Sequence, residues 1–153
     1  LSATICTPAI ADSLQKLSIS TFGGNPISVT AANATLEVME KHDLKGNAER
    51  QGRRLRAGLE GLQRKYPRTI GDVRGMGLMQ GVEHVADETK GDRTPNPQAT
   101  VRLFEETKKR GLLIGKGGLY GNVLRISPPL TVNAAEVDEA IGKLDESYGA
   151  IGA

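Results

Sequence analysis

Thr69-Ile70-Gly71-Asp72-Val73-Arg74-Gly75-Met76-Gly77-Leu78-Met79-Gln80-Gly81-Val82-Glu83-His84-Val85 has a residue pattern with a period of two. Leu78, Gln80 and Val82 alternate with Met79, Gly81 and Glu83, as the two faces of a strand do. Gly75-Met76-Gly77 lies between two such runs and reads as a tight turn or a glycine kink. Gly75, Gly77 and Gly81 are spaced loosely like a nucleotide loop. The dinucleotide fingerprint needs a helix directly after its glycines, however, and here the period stays at two. The stretch is therefore structural, with Arg74 expected to pair with a carboxylate across a domain junction.

On the N-terminal side, Leu44, Ala48, Gly52, Leu55, Leu59 and Leu62 follow a helical period, with Asp43 available as a cap and Tyr66-Pro67 as a stop. On the C-terminal side, residues 87–97 are polar, hold Gly91, Pro95 and Pro97, and read as an exposed loop. A helix through Val101, Leu103 and Phe104 then ends in Lys108, Lys109 and Arg110 followed by Gly111, which is helix-stop chemistry. Leu112-Leu113-Ile114 reads as a short buried strand, residues 115–121 as a mobile glycine-rich loop, and residues 122–126 as another strand, stopped by Pro128 and Pro129. Asn133 and Glu136 have capping-box spacing, and the helix they open shows Val137, Ile141, Leu144 and Tyr148 on one face. Strands mixed with covering helices, without a regular βαβ alternation, predict an α+β fold with a small antiparallel-rich sheet covered by helices.

The first residues read differently. Ser2 to Thr7 is β-branched and predicts a strand; a short helix runs through Ile10, Leu14 and Leu17. The helix expected from Pro26 to about His42 carries many small residues, which predicts burial on more than one side. Between them lies Ser20-Thr21-Phe22-Gly23-Gly24-Asn25-Pro26. Asn is a strong N-cap, and Pro is favoured at the first helical position. A hydroxyl and backbone N–H groups beside a helix N-terminus suit an anion such as phosphate. An ordinary, well-capped loop–helix junction has the same sequence.

The 153 residues suffice for one domain with a core, and with 38% hydrophobic and 3% aromatic residues that core must rest on aliphatic side chains. The net charge of +2, from 20 basic and 18 acidic residues, gives no reason to invoke nucleic acid or a membrane surface. Cys6 is the only cysteine, so no internal disulfide forms, and a reducing, cytoplasmic location is expected. No apolar run is long enough to span a bilayer. His42 and His84 have no metal-ligand spacing around them, so no metal site is expected. Lys116 lies among glycines but has nothing nearby to lower its pKa, so it reads as a surface lysine. The start at Leu1, without Met, reads as the C-terminal part of a longer protein.

Three stretches in one order, Thr21–Pro26, Asp72–Leu78 and Leu124–Leu130, resemble class III aminotransferases, with most similarity to the alanine–glyoxylate type. The resemblance implies a fold-type I enzyme that uses pyridoxal 5'-phosphate (PLP). Residues 1–43 resemble the tail of its large PLP-binding domain, and residues 44–153 its small C-terminal domain. Thr21 is implied to donate to the PLP phosphate of a partner subunit, hence a homodimer; the alternative is a loop threonine bonded to its own backbone. Arg125 is implied to hold the α-carboxylate of an amino or keto acid with its planar fork; the alternative is an arginine facing solvent. The resemblance puts the PLP-bearing lysine a few residues before Leu1, so the chain alone is expected to be inactive. The implied activity of the whole enzyme is transfer of an amino group from an amino acid or ω-amino acid to a keto acid such as pyruvate or glyoxylate. An aminomutase or decarboxylase of the same family, or a non-catalytic binding or dimerisation module, are the rival readings.

Overall fold

The computed structural model describes residues 2–17 and 19–153. The chain forms two compact units, Leu1–Asp43 and Leu44–Ala153. The first holds a one-turn helix, α1 (Pro8–Ala11), and a longer one, α2 (Pro26–Lys41). No strand forms over residues 2–7. A strand exists only by pairing, and this unit offers no second one among its described residues; Leu1 lies outside them. The helix expected through Leu14 and Leu17 stops at Ala11. Burial on several sides of α2 is not seen either: none of its residues is buried. A four-residue helix is too small to cover one of sixteen residues.

The second unit follows the sequence pattern more closely. Helix α3 (Leu44–Lys65) leads into β1 (Ile70–Met76) and β2 (Met79–Asp87); after a 3-10 turn come β3 (Asp92–Pro95), α4 (Pro97–Lys109), β4 (Gly115–Gly117), β5 (Val123–Ile126) and α5 (Ala134–Ile151). The sheet order is β1-β2-β5-β4, with β3 paired to the far end of β2, and every pairing is antiparallel. This is an α+β unit with a small antiparallel sheet. Two expectations shift. The segment 87–97 contains β3, whose Pro95 is tolerated because it ends an edge strand. The strand placed at Leu112–Ile114 forms instead at Gly115–Gly117, and Leu113 is 82% exposed. Pairing with β5 decides the position, since Gly115 lies opposite Arg125 and Gly117 opposite Val123.

A two-residue turn, Gly77-Leu78, joins β1 to β2, with Met76 opposite Met79. Gly77 has a positive φ (52°), as the first central residue of a type II′ hairpin requires. The buried Gln80 amide donates to the Gly77 carbonyl at 2.7 Å. The resulting register sends Val73, Val82, Leu124 and Ile126 inward, where they meet Leu55 and Leu59 of α3, Leu103 of α4 and Leu144 of α5. Asp72, Arg74, Gly81, Glu83, Arg125 and Gly115 occupy the opposite, open face. The predicted capping box is present: Asn133 Oδ1 accepts from the Glu136 amide, and the Glu136 carboxylate accepts from the Asn133 amide. Among the described residues, no helix is long and apolar enough to cross a membrane.

His84 is fully buried in this core. Its Nδ1 lies 2.7 Å from Thr100 Oγ1 and its Nε2 2.8 Å from the Tyr148 hydroxyl. Thr100 Oγ1 is also 3.3 Å from the Asn96 carbonyl. One tautomer satisfies every partner: the Tyr148 hydroxyl donates to Nε2, Nδ1–H donates to Thr100, and Thr100 donates to Asn96. The chain of bonds ties β2, α4 and α5 together. Burial pushes the His84 pKa down to about 4 from 6.5 and raises that of Tyr148.

Two outcomes follow. A Cβ on Gly52 of α3 would lie 2.4 Å from the Gly77 carbonyl carbon, whereas one on Gly142 of α5 meets nothing within 4 Å. Gly52→Ala should therefore cost ~1–3 kcal/mol by overpacking, while Gly142→Ala should gain ~0.5–1 kcal/mol from helix propensity; urea denaturation reads both. The second outcome concerns acid. Between pH 6.5 and about 4 the unfolded chain binds a proton at His84 that the folded chain refuses, so stability falls as pH falls. The loss approaches ~3 kcal/mol once pH is below the folded pKa. A His84→Gln variant should show a flatter slope between about pH 6.5 and 5, above the range where carboxylates dominate.

Candidate functional site

The phosphate-type loop is built by turn chemistry. The Gly23 amide donates to the Ser20 carbonyl and the Asn25 amide to the Phe22 carbonyl, and Gly24 takes a positive φ of 69°. Asn25 caps α2: its side chain accepts from the Ile27 amide at 3.0 Å and the Ser28 amide at 3.3 Å. With Pro26 lacking an N–H and the Val29 amide bonded to the Asn25 carbonyl, the first turn of α2 has no spare donor. Donors for an anion must therefore come from the loop before the helix. Before the helix, the Thr21 hydroxyl and the Thr21, Phe22 and Gly24 amides have no hydrogen-bond partner among the described residues, close to the positive end of the α2 dipole.

Arg125 stands on β5 and faces the open side of the sheet. The register puts Gly81 opposite it on β2 and Gly115 opposite it on β4. Both neighbours in its row lack side chains, so the guanidinium lies in a cleared lane; a Cβ on Gly115 would lie 3.2 Å from Arg125 Nε. No carboxylate pairs with it among the described residues, and its alternative reading as an arginine facing outward is met in the literal sense of exposure. Arg74, two strands away in the same row, is different. Its guanidinium holds Asp72 at 2.8 Å and also Glu83, and the hydrogen bond to Asp72, then that to Glu83, raises its pKa. The pairing expected across a domain junction is thus made within one hairpin, because Asp72 and Glu83 face each other across β1 and β2.

Two hollows adjoin Arg125. One, of about 400 Å³, lies over the open face between Arg74 and Arg125, with Gly81 and Gly117 in its floor. The other, of about 670 Å³, lies where β5 runs out, walled by Leu112, Leu113, Ile114, Pro128 and Pro129. Asn47 of α3 fixes the segment after Pro129: its amide donates to the Leu130 carbonyl at 2.8 Å and the Val132 carbonyl at 2.9 Å. Sequence reading missed Asn47, since no local pattern marks bonds across more than eighty residues. It also missed the lane around Arg125, although a glycine inside a strand pattern is a signal of close approach. Lys116 is exposed, its Nζ 5.9 Å from the Phe104 ring centroid. No described lysine is buried. Thr21 and Arg125 belong to different units.

The family described as aminotransferase class III matches residues 1–147. An alanine–glyoxylate aminotransferase 2 homologue, named mitochondrial, from Arabidopsis thaliana is 44% identical over 148 residues, covering 96% of this chain and 30% of that protein. A 5-aminovalerate aminotransferase of Pseudomonas putida is 41% identical, covering 86% of this chain and 30% of that protein. Among solved structures, a phospholyase from Arthrobacter in complex with phosphoethanolamine superposes with a TM-score of 0.87 at 34% identity, over 94% of this chain and 34% of that one. An S-selective transaminase from Arthrobacter with alanine bound gives 0.79 at 32% identity, over 94% of this chain and 32% of that one. The chain belongs to the class III aminotransferases. It spans about a third of the length of the relatives it matches.

Proposed function

We propose that the whole protein containing this chain is a PLP-dependent transaminase that moves an amino group from an amino acid or ω-amino acid to a keto acid. The observation that carries this reading is Arg125: a cation without a carboxylate partner among the described residues, with a glycine on each side of it in its row and a hollow beside it, in a chain of the aminotransferase family. Its planar fork suits the substrate carboxylate with two parallel hydrogen bonds. The Thr21 loop, in the first unit, suits a phosphate. Its unpartnered hydroxyl and the Gly24 amide match one side of a phosphate monoester, so the donor chemistry fits PLP's phosphate. When bound, PLP supplies the electron sink for exchange of an amino group with a carbonyl.

On this reading the chain supplies grips for cofactor and substrate. Each of its described lysines is exposed or half-buried, and a covalent cofactor lysine needs surroundings that lower its pKa. On this reading residues 1–43 are the tail of a large PLP-binding domain and residues 44–153 its small C-terminal domain. The Thr21 hydroxyl serves the cofactor of a partner subunit in a homodimer, and this chain alone is inactive. The lone exposed Cys6 and the near-balanced charge suit a reducing compartment such as the cytoplasm.

The likeness to the Arthrobacter phospholyase favours a second reading: elimination from a phosphorylated amine. The full-length protein loaded with PLP decides between them. Amino transfer to pyruvate or glyoxylate supports the transaminase, and phosphate release from phosphoethanolamine without amino transfer overturns it in favour of the lyase.

Two substitutions test the grips. Arg125→Lys keeps charge and loses the fork, so kcat/KM should fall by at least tenfold, about 1.4 kcal/mol, for substrates with a carboxylate at that position, and little for simple amines. Equal losses would make Arg125 structural. Thr21→Ala should weaken PLP retention by ~1–3 kcal/mol, read by fluorimetric titration of the apo-protein; an unchanged dissociation constant removes Thr21 from the site.

A further inference from the structure

The open face of the sheet holds two arginines and two carboxylates, and the register gives one carboxylate a choice. Glu83 faces Asp72 across β1 and Val123 across β5. Arg74 stands two residues beyond Asp72, and Arg125 two residues beyond Val123. Glu83 is therefore diagonal to both arginines, and diagonal cross-strand neighbours lie about 7–8 Å apart, within reach of long side chains. Gly81 leaves one flank of the Glu83–Arg125 diagonal bare, and on the other flank Val123 has its Cγ1 3.4 Å from where a Gly81 Cβ would stand. Glu83 nevertheless pairs with Arg74. Its other oxygen is 3.5 Å from the Asn122 amide, too long to anchor it.

Asp72 explains the choice. Two carboxylates directly opposite each other repel, and one Arg74 nitrogen bridges both. Removing that bridge leaves Asp72 pushing Glu83 away, and Arg125 is the cation diagonal to Glu83 on β5. An Arg125 capped by Glu83 would have to lose that partner before it could bind a carboxylate.

We propose that Arg74 is a positioning residue for carboxylate binding at Arg125: by holding Glu83, it keeps the lane over Gly81 free of an internal competitor. The inference rests on the reading of Arg125 as the carboxylate site. Arg74 itself need not touch substrate. The ligand class is the one already assigned to Arg125, a small amino or keto acid, and the effect is selective for it, because a simple amine does not need the guanidinium.

The test uses the full-length holoenzyme with four variants: Arg74→Gln, Glu83→Gln, the double variant of both, and Arg125→Lys. The three side chains of the triad are half or partly exposed, so neutral isosteres leave the sheet intact, which circular dichroism verifies. Arg74→Gln should raise KM for pyruvate about tenfold with little change in kcat, the size of one charge-assisted competitor, and leave KM for a simple amine donor unchanged. Glu83→Gln should match the parent. The double variant should return the pyruvate KM to near the parent value, because the competitor is gone. Calorimetric titration of pyruvate should give the same order of affinities. A double variant as weak as Arg74→Gln, or an Arg74→Gln enzyme with unchanged pyruvate affinity, overturns the proposal. Arg125→Lys separates the two levels. If it loses carboxylate selectivity while Arg74→Gln does not, the role of Arg74 fails and the function of Arg125 stands. If Arg125→Lys is also without effect, the reading of the site itself fails.

Discussion

The register of the β1–β2 hairpin is the constraint on which the second unit depends. Side chains alternate with a period of two, so a slip of one residue would move every one of them to the other face. Val73 and Val82 would leave the core, and Arg74 and Glu83 would enter it unpaired with water. The slip is prevented locally by Gly77-Leu78, where a positive φ at the first central residue and the Gln80 amide on the Gly77 carbonyl specify a two-residue turn. It is prevented at longer range by α3, whose Gly52 lets the turn approach so closely that no side chain fits between them. Turn, helix and strand pairing agree, and such consistency is what specifies one fold.

The register also separates two kinds of polar group. On the inner face, His84 is held neutral by burial and has each ring nitrogen matched to one hydroxyl. A buried polar group so satisfied specifies the packing of three elements at once, whereas an unpaired one there would be costly. On the outer face, water stabilises the charges, and the Arg74 pairs add little to stability because both partners are partly exposed. Their consequence is spatial: two carboxylates are occupied, and Arg125, in the row of Arg74, has no carboxylate partner among the described residues.

The sequence was legible wherever the determining interaction is local. The helix end at Gly111, the Asn133–Glu136 capping box and the alternation around Val82 each depend on residues a few positions apart. Reading failed where the partner lies far along the chain or is absent. Residues 2–7 have strand composition but no strand to pair with among the described residues of their unit. Leu112–Ile114 has the composition of a buried strand, yet β5 pairs with the glycines after it. Small residues on α2 predict close neighbours, and among the described residues of the unit none buries them. At the candidate site, Arg125 and Thr21 stood out through motifs. Asn47 could not, because its partners are carbonyls of residues 130 and 132. Asn25 was read correctly as a cap, but the consequence that capping consumes the helix amides needed the observed bonds.

An exposed arginine is a weak carboxylate receptor in open water, where screening and hydration offset most of the attraction. The same fork becomes strong once water is excluded, and its planar geometry then selects a carboxylate over a point anion. The glycines beside Arg125 serve that second state better than the first. Side chains at positions 81 and 115 could shield the guanidinium, but they would also occupy the room a carboxylate needs to lie flat against it. A bare lane gives up packing on the open face and leaves Leu113 and Met79 exposed nearby, so this unit lacks the cover that would desolvate the pair. Under the proposed function, the strength of the Arg125 grip is therefore set by what closes over the open face. On the same proposal, its selectivity would come from the two glycines and from the capture of Glu83.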